Sequence, residues 1–348
     1  MFAFAFKQAP LFLTFGDGAL AKLPDAVRAC DGTRALLVAS PSQKAVAARA
    51  ETLLEAVSIG RFDGVAPHVP GSAVEALEAL ARERQADVLV ALGGGAAIDL
   101  CKAAASGLGL PVVAVPTTYG GSELTMHAGR TDGQRKSAVA SGAPRAVIYD
   151  PELTYDLPRR AGAGSAMNAV AHCVEALYAP SALPLALLAA EEGLRRIPAP
   201  LRAVANDPHD VQARNALLFG AYLAAVALAG SGMAVHHRIC HVLGGTYGIA
   251  HGDANAVILP VAARFNASAA PDALATVARA LGVSDAAAGL AALARDAGAA
   301  TSLEELGLDR NQFEKIADLA LTHPLANPRP VDRSAIVGLL EEAWSPTP

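Results

Sequence analysis

From residue 2 to about residue 150 the hydrophobic pattern switches repeatedly between two periods. Ala35-Leu-Leu-Val-Ala39, Asp87-Val-Leu-Val-Ala-Leu92 and Pro111-Val-Val-Ala-Val115 are short, nearly unbroken apolar runs. Strands that read this way are buried on both faces and belong to parallel sheets. Between them, residues 44–57, 72–85 and 96–106 space their apolar positions at helical intervals. Met1-Phe-Ala-Phe-Ala-Phe6 alternates with period two and predicts a further strand, and Val147-Ile148-Tyr149 predicts a last one. Strand–helix–strand units in series predict a doubly wound, Rossmann-like α/β domain over residues 1–155.

Beyond residue 151 the strand signal fades. Long Ala- and Leu-rich stretches, broken near Pro180, Pro208 and Asn266, predict an all-helical domain over residues 156–348, closing on a helix at 333–344. The Ala-rich stretch 285–300 keeps Leu290, Leu293 and Ala297 on one stripe, so it is expected to be ordered. Residues 216–235 carry no charge and are long enough to span a bilayer. They also contain Gly220, Gly230, Ser231 and Gly232, which favours a buried helix over a membrane span. A nucleotide half joined to a helical half predicts a ligand cleft between them.

Composition narrows the function. With 348 residues, 53% hydrophobic and 18% charged, the chain can bury a large core. A net charge of -5 without long basic runs argues against nucleic acid as a partner. Cys30, Cys101, Cys173 and Cys240 are scattered, as reduced core thiols are. The apolar N-terminus lacks the charged start of a signal peptide, so the cytoplasm is the expected compartment.

Three stretches carry candidate chemistry. Gly93-Gly94-Gly95 closes a strand and opens a helix, where the backbone can approach a phosphate and the helix offers free N–H groups. It is not G-x-G-x-x-G, and a tight turn that binds nothing is the alternative. Pro116-Thr117-Thr118-Tyr119-Gly120-Gly121-Ser122-Glu123 follows the next strand. Its hydroxyls and glycines suit nucleotide contacts, or Ser122 caps a helix with Glu123 in its first turn; both readings can hold together. The third is the histidine-rich stretch 235–251, which holds His236, His237, His241 and His251, four of the nine histidines. His237 and His241 are one helical turn apart, Gly244-Gly245 is expected to break that helix, and a short loop can return His251 to the pair. Converging imidazoles suit a metal or proton transfer to a substrate. Asn168 and His172 share a helix face in the same way.

Taken together, these motifs resemble the iron-containing alcohol dehydrogenase superfamily and, within it, the maleylacetate reductases. The resemblance runs over nearly the whole chain. It rests on Gly93-Gly-Gly through Lys102, Pro116 to Glu123, Val147-Ile-Tyr-Asp-Pro-Glu-Leu-Thr154, Met167-Asn-Ala-x-Ala-His172, Val174-Glu-Ala-Leu-Tyr178, His236-His-x-x-Cys-His-Val-Leu-Gly-Gly245 and Asn327-Pro-Arg-Pro330. It implies a dehydroquinate synthase-like architecture, a homodimer, and reduction of a small anionic substrate by NADH with NADPH tolerated. Expected nucleotide contacts are Gly93, Gly94, Gly95, Asp99, Thr117, Thr118 and Ser122. Ser40-Pro41-Ser42 lacks the acidic residue that would exclude a 2′-phosphate.

In metal-dependent relatives an Asp and three His hold the ion, and these positions match Asn168, His172, His237 and His251 here. Asn offers a neutral carbonyl, a weak ligand for a hard cation, whereas three histidines alone can hold zinc, so the residues leave a metal open. Asn at this position resembles the maleylacetate reductases, and that resemblance implies no bound metal. The resemblance then leaves His172, His237, His241 and His251 as catalytic residues, with His241 or His251 giving the proton. Arg238, Tyr119 and Asn168 are expected at the substrate, with Lys136 and His127 as further cations or surface residues. Two departures bear on the substrate: His251-Gly-Asp-Ala-Asn255 where the reductases tend to read His-Ala-Glu-Thr-His, and Met126-His127 in place of Thr-Pro. These positions are expected to line the cleft. The alternatives are a metal-dependent alcohol dehydrogenase and a non-redox nucleotide-binding relative.

Overall fold

The computed structural model describes residues 11–132 and 135–345, without the side chains of 132 and 135–138. The strand expected at residues 1–6 lies outside the described residues, as does the side chain of Lys136. The chain forms two compact units, Met1–Asp156 and Leu157–Pro348.

The first unit is built on strands β1 (Phe12–Phe15), β2 (Ala35–Ala39), β3 (Ser58–Phe62), β4 (Val88–Gly93), β5 (Val112–Pro116), β6 (His127–Asp132), β7 (Arg135–Ala140) and β8 (Ala146–Tyr149). Its helices are α1 (Leu23–Arg28), α2 (Lys44–Leu53), α3 (Gly71–Glu83) and α4 (Gly95–Leu108). Six strands make a parallel sheet in the order β1-β8-β5-β4-β2-β3, which bears out the doubly wound reading. Every residue of β2, β4, β5 and β8 is buried, because helices cover both faces. The apolar runs therefore paid no attention to alternation. β6 and β7 form a separate antiparallel hairpin that the sequence reading missed. Their residues include Arg130, Asp132, Arg135 and Lys136, too polar to stand out as a strand pair.

The Tyr-Asp-Pro-Glu-Leu-Thr stretch has a structural task. Asp150 is fully buried and accepts from the backbone N–H groups of Gly18 (3.2 Å), Leu20 (2.9 Å) and Glu152 (3.1 Å). Asp150→Ala would strand three donors, so a loss of about 2 kcal/mol is expected by denaturant titration. An unchanged midpoint would show that the three donors find other acceptors.

The second unit is helical, as expected: α5 (Arg159–Tyr178), α6 (Pro184–Arg196), α7 (Pro198–Asn206), α8 (Val211–Ala229), α9 (Val235–Tyr247), α10 (His251–Asn266), α11 (Pro271–Leu281), α12 (Ala286–Ala297), α13 (Phe313–Ala320) and α14 (Arg333–Trp344). The uncharged run at 216–235 falls mostly in α8, which has a mean hydropathy of 1.3 over its most apolar stretch; half of that stretch is buried, and the helix packs on α5, α6 and α7. It is the one continuous helix among the described residues long and apolar enough to cross a membrane. α5 is buried along almost its whole length between α6, α8 and α10. Small residues let it in: a Cβ on Gly164 would stand 2.8 Å from the carbonyl carbon of Gly252, and one on Gly252 equally close to Gly164. The two backbones therefore touch where α5 crosses the first turn of α10.

Candidate active site

In the first unit, β4 and β5 run in register with Gly93 opposite Pro116, so the loops that follow them leave the sheet side by side. The N–H of Thr117 donates to the Gly93 carbonyl at 3.0 Å and ties the two loops together. Gly93 has φ of 151°, and any Cβ there would collide with Ser40. Gly94 caps α4 and lies under Thr118, whose side chain is 3.0 Å from where a Cβ would be, while Gly95 faces open space. α4 has no side-chain cap; the N–H groups of Ala97 and Ile98 donate to the Gly94 carbonyl at 3.0 and 3.3 Å, which leaves those of Gly95 and Ala96 without an intrahelical acceptor. A concave backbone with free donors fits the diphosphate of a dinucleotide, and Gly94, Gly95 and Thr118 are the residues that would hold it.

Asp99 and Ser122 have partners within the protein. Ser122 Oγ donates to Asp99 Oδ1 and accepts from Lys102 Nζ at 2.9 Å. The other Asp99 oxygen accepts from the Gly129 N–H at 3.0 Å. Lys102, with a side chain 0% exposed, also reaches the Ser122 carbonyl and Thr125 Oγ1, each at 2.8 Å. Burial pulls its ammonium below the ordinary lysine range, against the attraction of Asp99 and Glu123. Burial likewise pushes the Glu123 carboxyl up, although the Tyr149 hydroxyl donates to it at 2.8 Å. Asp99, Lys102 and Ser122 thus clamp the second loop onto α4. No helix starts at Ser122 as anticipated; a single 3-10 turn, Ser122–Leu124, leads into the hairpin, and Ser122 makes no side-chain cap. Thr117 and Tyr119, of the same loop, are each 1% exposed.

In the second unit, α5, α9 and α10 bring Asn168, His172, His236, His237, His241 and His251 together. α9 does not break at Gly244-Gly245 but runs on to Tyr247 and stops at Gly248, whose φ of 69° suits a glycine ending a helix. His251 then opens α10, and the contact of Gly252 with Gly164 holds it against α5. The start of α9 is fastened by Asn327 of the Asn-Pro-Arg-Pro stretch. Its Oδ1 lies 3.5 Å from the Val235 N–H, and its amide exchanges bonds of 2.7 and 3.1 Å with Asn266 at the end of α10.

Burial sorts the histidines into two groups. His172, His236 and His237 are 5%, 0% and 1% exposed. His241 and His251 are half-buried, with ring centroids 5.7 Å apart. His237 is the hub: 4.8 Å from His172, 4.7 Å from His236 and 6.2 Å from both His241 and His251, centroid to centroid. Its Nε2 stands 3.2 Å from Asn168 Oδ1, and its Nδ1 stands 2.5 Å from Glu175 Oε2. Burial, then the neighbouring imidazoles, holds His172 well below the usual histidine range. Burial and His237 push His236 down to about 4, against the pull of Glu175. Burial opposes the charge of Glu175, but His237 outweighs it and keeps the carboxyl below its ordinary value.

Sequence reasoning did not single out Glu175 or Lys102. The signal was present: each is a charge on an otherwise apolar stretch of helix, one turn from a candidate residue. Arg238 is half-buried and donates to the Pro324 carbonyl at 3.1 Å. His127 and Met126 are exposed. The residues after His251 that differ from the reductase pattern make contacts within the second unit. Gly252 is packed on Gly164, Asp253 pairs with Arg160 at 3.1 Å, and Asn255 is fully buried.

A metal fits the donor set poorly. Among the described residues, Glu175, His236 and His237 bring donor atoms within 4.8 Å of one another, and His172 and His251 stand outside that group. Within it, His237 Nδ1 is already bonded to Glu175. At the four ligand-type positions the donors are three imidazoles and a carboxamide, with no anionic group to balance a 2+ ion.

Comparison with known proteins agrees in both units. Residues 10–151 match the iron-containing alcohol dehydrogenase family and residues 162–344 its C-terminal domain. The chain is 42% identical over 346 residues to a maleylacetate reductase of Burkholderia cepacia, covering 99% of this chain and 98% of that one. It is 40% identical over 343 residues to maleylacetate reductase 1 of Rhodococcus opacus, covering 98% and 96%. The crystal structure of maleylacetate reductase from Agrobacterium tumefaciens superposes with a TM-score of 0.92 at 37% identity, covering 99% of each chain.

Proposed function

This chain belongs to the iron-containing alcohol dehydrogenase family and is an oxidoreductase, and we propose that it is a maleylacetate reductase working without a bound metal. The reaction would reduce the carbon–carbon double bond of maleylacetate to give 3-oxoadipate, a step in the breakdown of aromatic compounds. The observation that carries this reading is Asn168 beside His237 Nε2 in a buried histidine cluster, at the position where a metal-dependent relative needs a carboxylate. The 36–42% identity to maleylacetate reductases over at least 94% of each sequence supports the same substrate.

NADH, held by Gly94, Gly95 and Thr118, would supply a hydride to the alkene carbon β to the ketone, and an electron pair would pass onto the ketone oxygen. The protein must then hold a growing negative charge and supply one proton. His172 and His237 are buried and can hold the oxygen as hydrogen-bond donors or dipoles. His241 and His251, half-buried, can exchange protons with water and with the substrate, and one of them supplies the proton that saturates the carbon. The nucleotide rests on Gly94, Gly95 and Thr118. β2 ends at Ala39, and the Ser40-Pro41-Ser42 that follows has no carboxylate to repel a 2′-phosphate, so NADPH is accepted beside NADH. The reading includes a homodimer in the cytoplasm, with a small dianion as substrate.

The test is loss of NADH absorbance with maleylacetate, with and without EDTA. Turnover that survives EDTA supports the reading. Turnover lost to EDTA and restored by Fe²⁺ or Zn²⁺ would assign a metal-dependent dehydrogenase instead. Asn168→Asp is expected to raise Fe²⁺ or Zn²⁺ affinity by about tenfold or more, because a charge at ligand distance is worth several kcal/mol. Metal analysis of both proteins after dialysis checks this; equal metal content would overturn it.

A further inference from the structure

We propose that Glu175 is a positioning residue for the reduction: it locks His237 in the form with hydrogen on Nδ1, so that Nε2 is the nitrogen presented beside Asn168. The proposal deepens the functional reading above and rests on it for the word reduction, whereas the lock itself follows from the geometry.

The argument starts from what each partner can do in a hydrogen bond. A carboxylate only accepts, so His237 Nδ1, 2.5 Å from Glu175 Oε2, carries hydrogen in either charge state of the ring. His236 adds a second constraint. Its Nε2 lies 3.1 Å from the Asn255 carbonyl, which also only accepts, so Nε2 holds the hydrogen of the neutral His236. That leaves His236 Nδ1 as a lone pair, 3.2 Å from His237 Nδ1. Two acceptors thus converge on one nitrogen of His237. Turning the ring over would set a carbon against a carboxylate 1% exposed and strand its charge.

With Nδ1 fixed, the chemistry of His237 passes to Nε2. Its neighbour Asn168 can face a bare Nε2 with its amide N–H or a protonated Nε2 with its carbonyl, by half a turn of the amide. An aspartate could only accept. Asn168 therefore tolerates both states of Nε2, while Glu175 keeps the ring aimed through both. The single carboxylate of the cluster lies behind the hub histidine and is absent from the position beside Nε2. Burial of both side chains to 1% exposure shields the pair from water, and the helices that carry them, α5 and α9, are fixed by core packing.

The experiment uses full-length protein labelled with ¹⁵N-histidine. The ¹⁵N–¹H pattern of His237, assigned by its disappearance in His237→Asn, is expected to show hydrogen on Nδ1. Glu175→Gln is expected to lower kcat about 100-fold, as loss of an orienting carboxylate does elsewhere. KM for NADH should stay within about twofold, a split that general damage to the fold would not give. A neutral His237 with hydrogen on Nε2 alone in the unaltered protein overturns the proposal, and so does Glu175→Gln with full kcat. If that variant does not fold, the spectrum of the unaltered protein decides. If the unaltered protein does not oxidise NADH with maleylacetate or any other carbonyl or enone offered, the functional reading fails, and the Nδ1 pattern still decides the lock.

Discussion

His241→Ala and His251→Ala are each expected to lower kcat with maleylacetate, by about 100- to 10,000-fold for whichever residue donates the proton. The donor must reach both the substrate and a source of protons, and these two are the half-buried members of the cluster. Their rings stand 5.7 Å apart, so the second histidine holds or recharges the first and its loss costs less. Neither is among the residues proposed to hold the nucleotide, so the dissociation constant for NADH should not move. The double variant should fall little below the worse single one, because residues that act as a unit are not additive. Full turnover in both single variants would return the proton donor to water. A drop confined to KM would make them substrate contacts only.

Gly252→Val is expected to cost about 3 kcal/mol of stability and, in what still folds, about 100-fold in kcat. A Cβ at 252 would stand 2.8 Å from the Gly164 carbonyl carbon, where carbon atoms need ~3.5 Å. Neither backbone can yield without separating α5 from α10. That crossing holds His251, the neighbour of Gly252, against the helix that carries Asn168 and His172. The sign is diagnostic in Gly252→Ala and Gly164→Ala. In an unobstructed helix, alanine is worth up to about 1 kcal/mol more than glycine, so a stabilised Ala variant would mean the contact is slack. Thermal melts and kcat measured on the same preparations separate lost fold from lost geometry.

The legible parts of this protein are those set by neighbours in sequence. β2, β4 and β5 announce themselves as apolar runs because a parallel sheet covered on both faces needs nothing else. The helix at 333–344 was read to the residue, since its cap Asp332 and apolar spacing are local. The triple glycine could be read because it directly follows an apolar strand run and opens a helical one, a pattern local to the chain. The hairpin β6–β7 could not be read, because its pairing replaces the hydrophobic signal with backbone bonds. The overrun of α9 past Gly244-Gly245 could not be read either. Glycine costs a helix roughly 1 kcal/mol, and packing on the cores of α10 and α13 exceeds that.

The candidate site divides along the same line. Sequence by itself determined which chemistry is at hand: imidazoles at helical spacing, an amide where a carboxylate would serve a metal, and a phosphate-sized turn after β4. Those are facts of residue type and of spacing along one element. Only the tertiary structure decided which histidines are buried and which reach the rim, and that Glu175 stands behind His237. It also decided that Lys102 clamps a loop and that Asp253 pairs with Arg160. Each of these depends on a contact between segments far apart in the chain, 62 residues in the case of Glu175 and His237. No periodicity records such a contact, because it exists only where one helix crosses another.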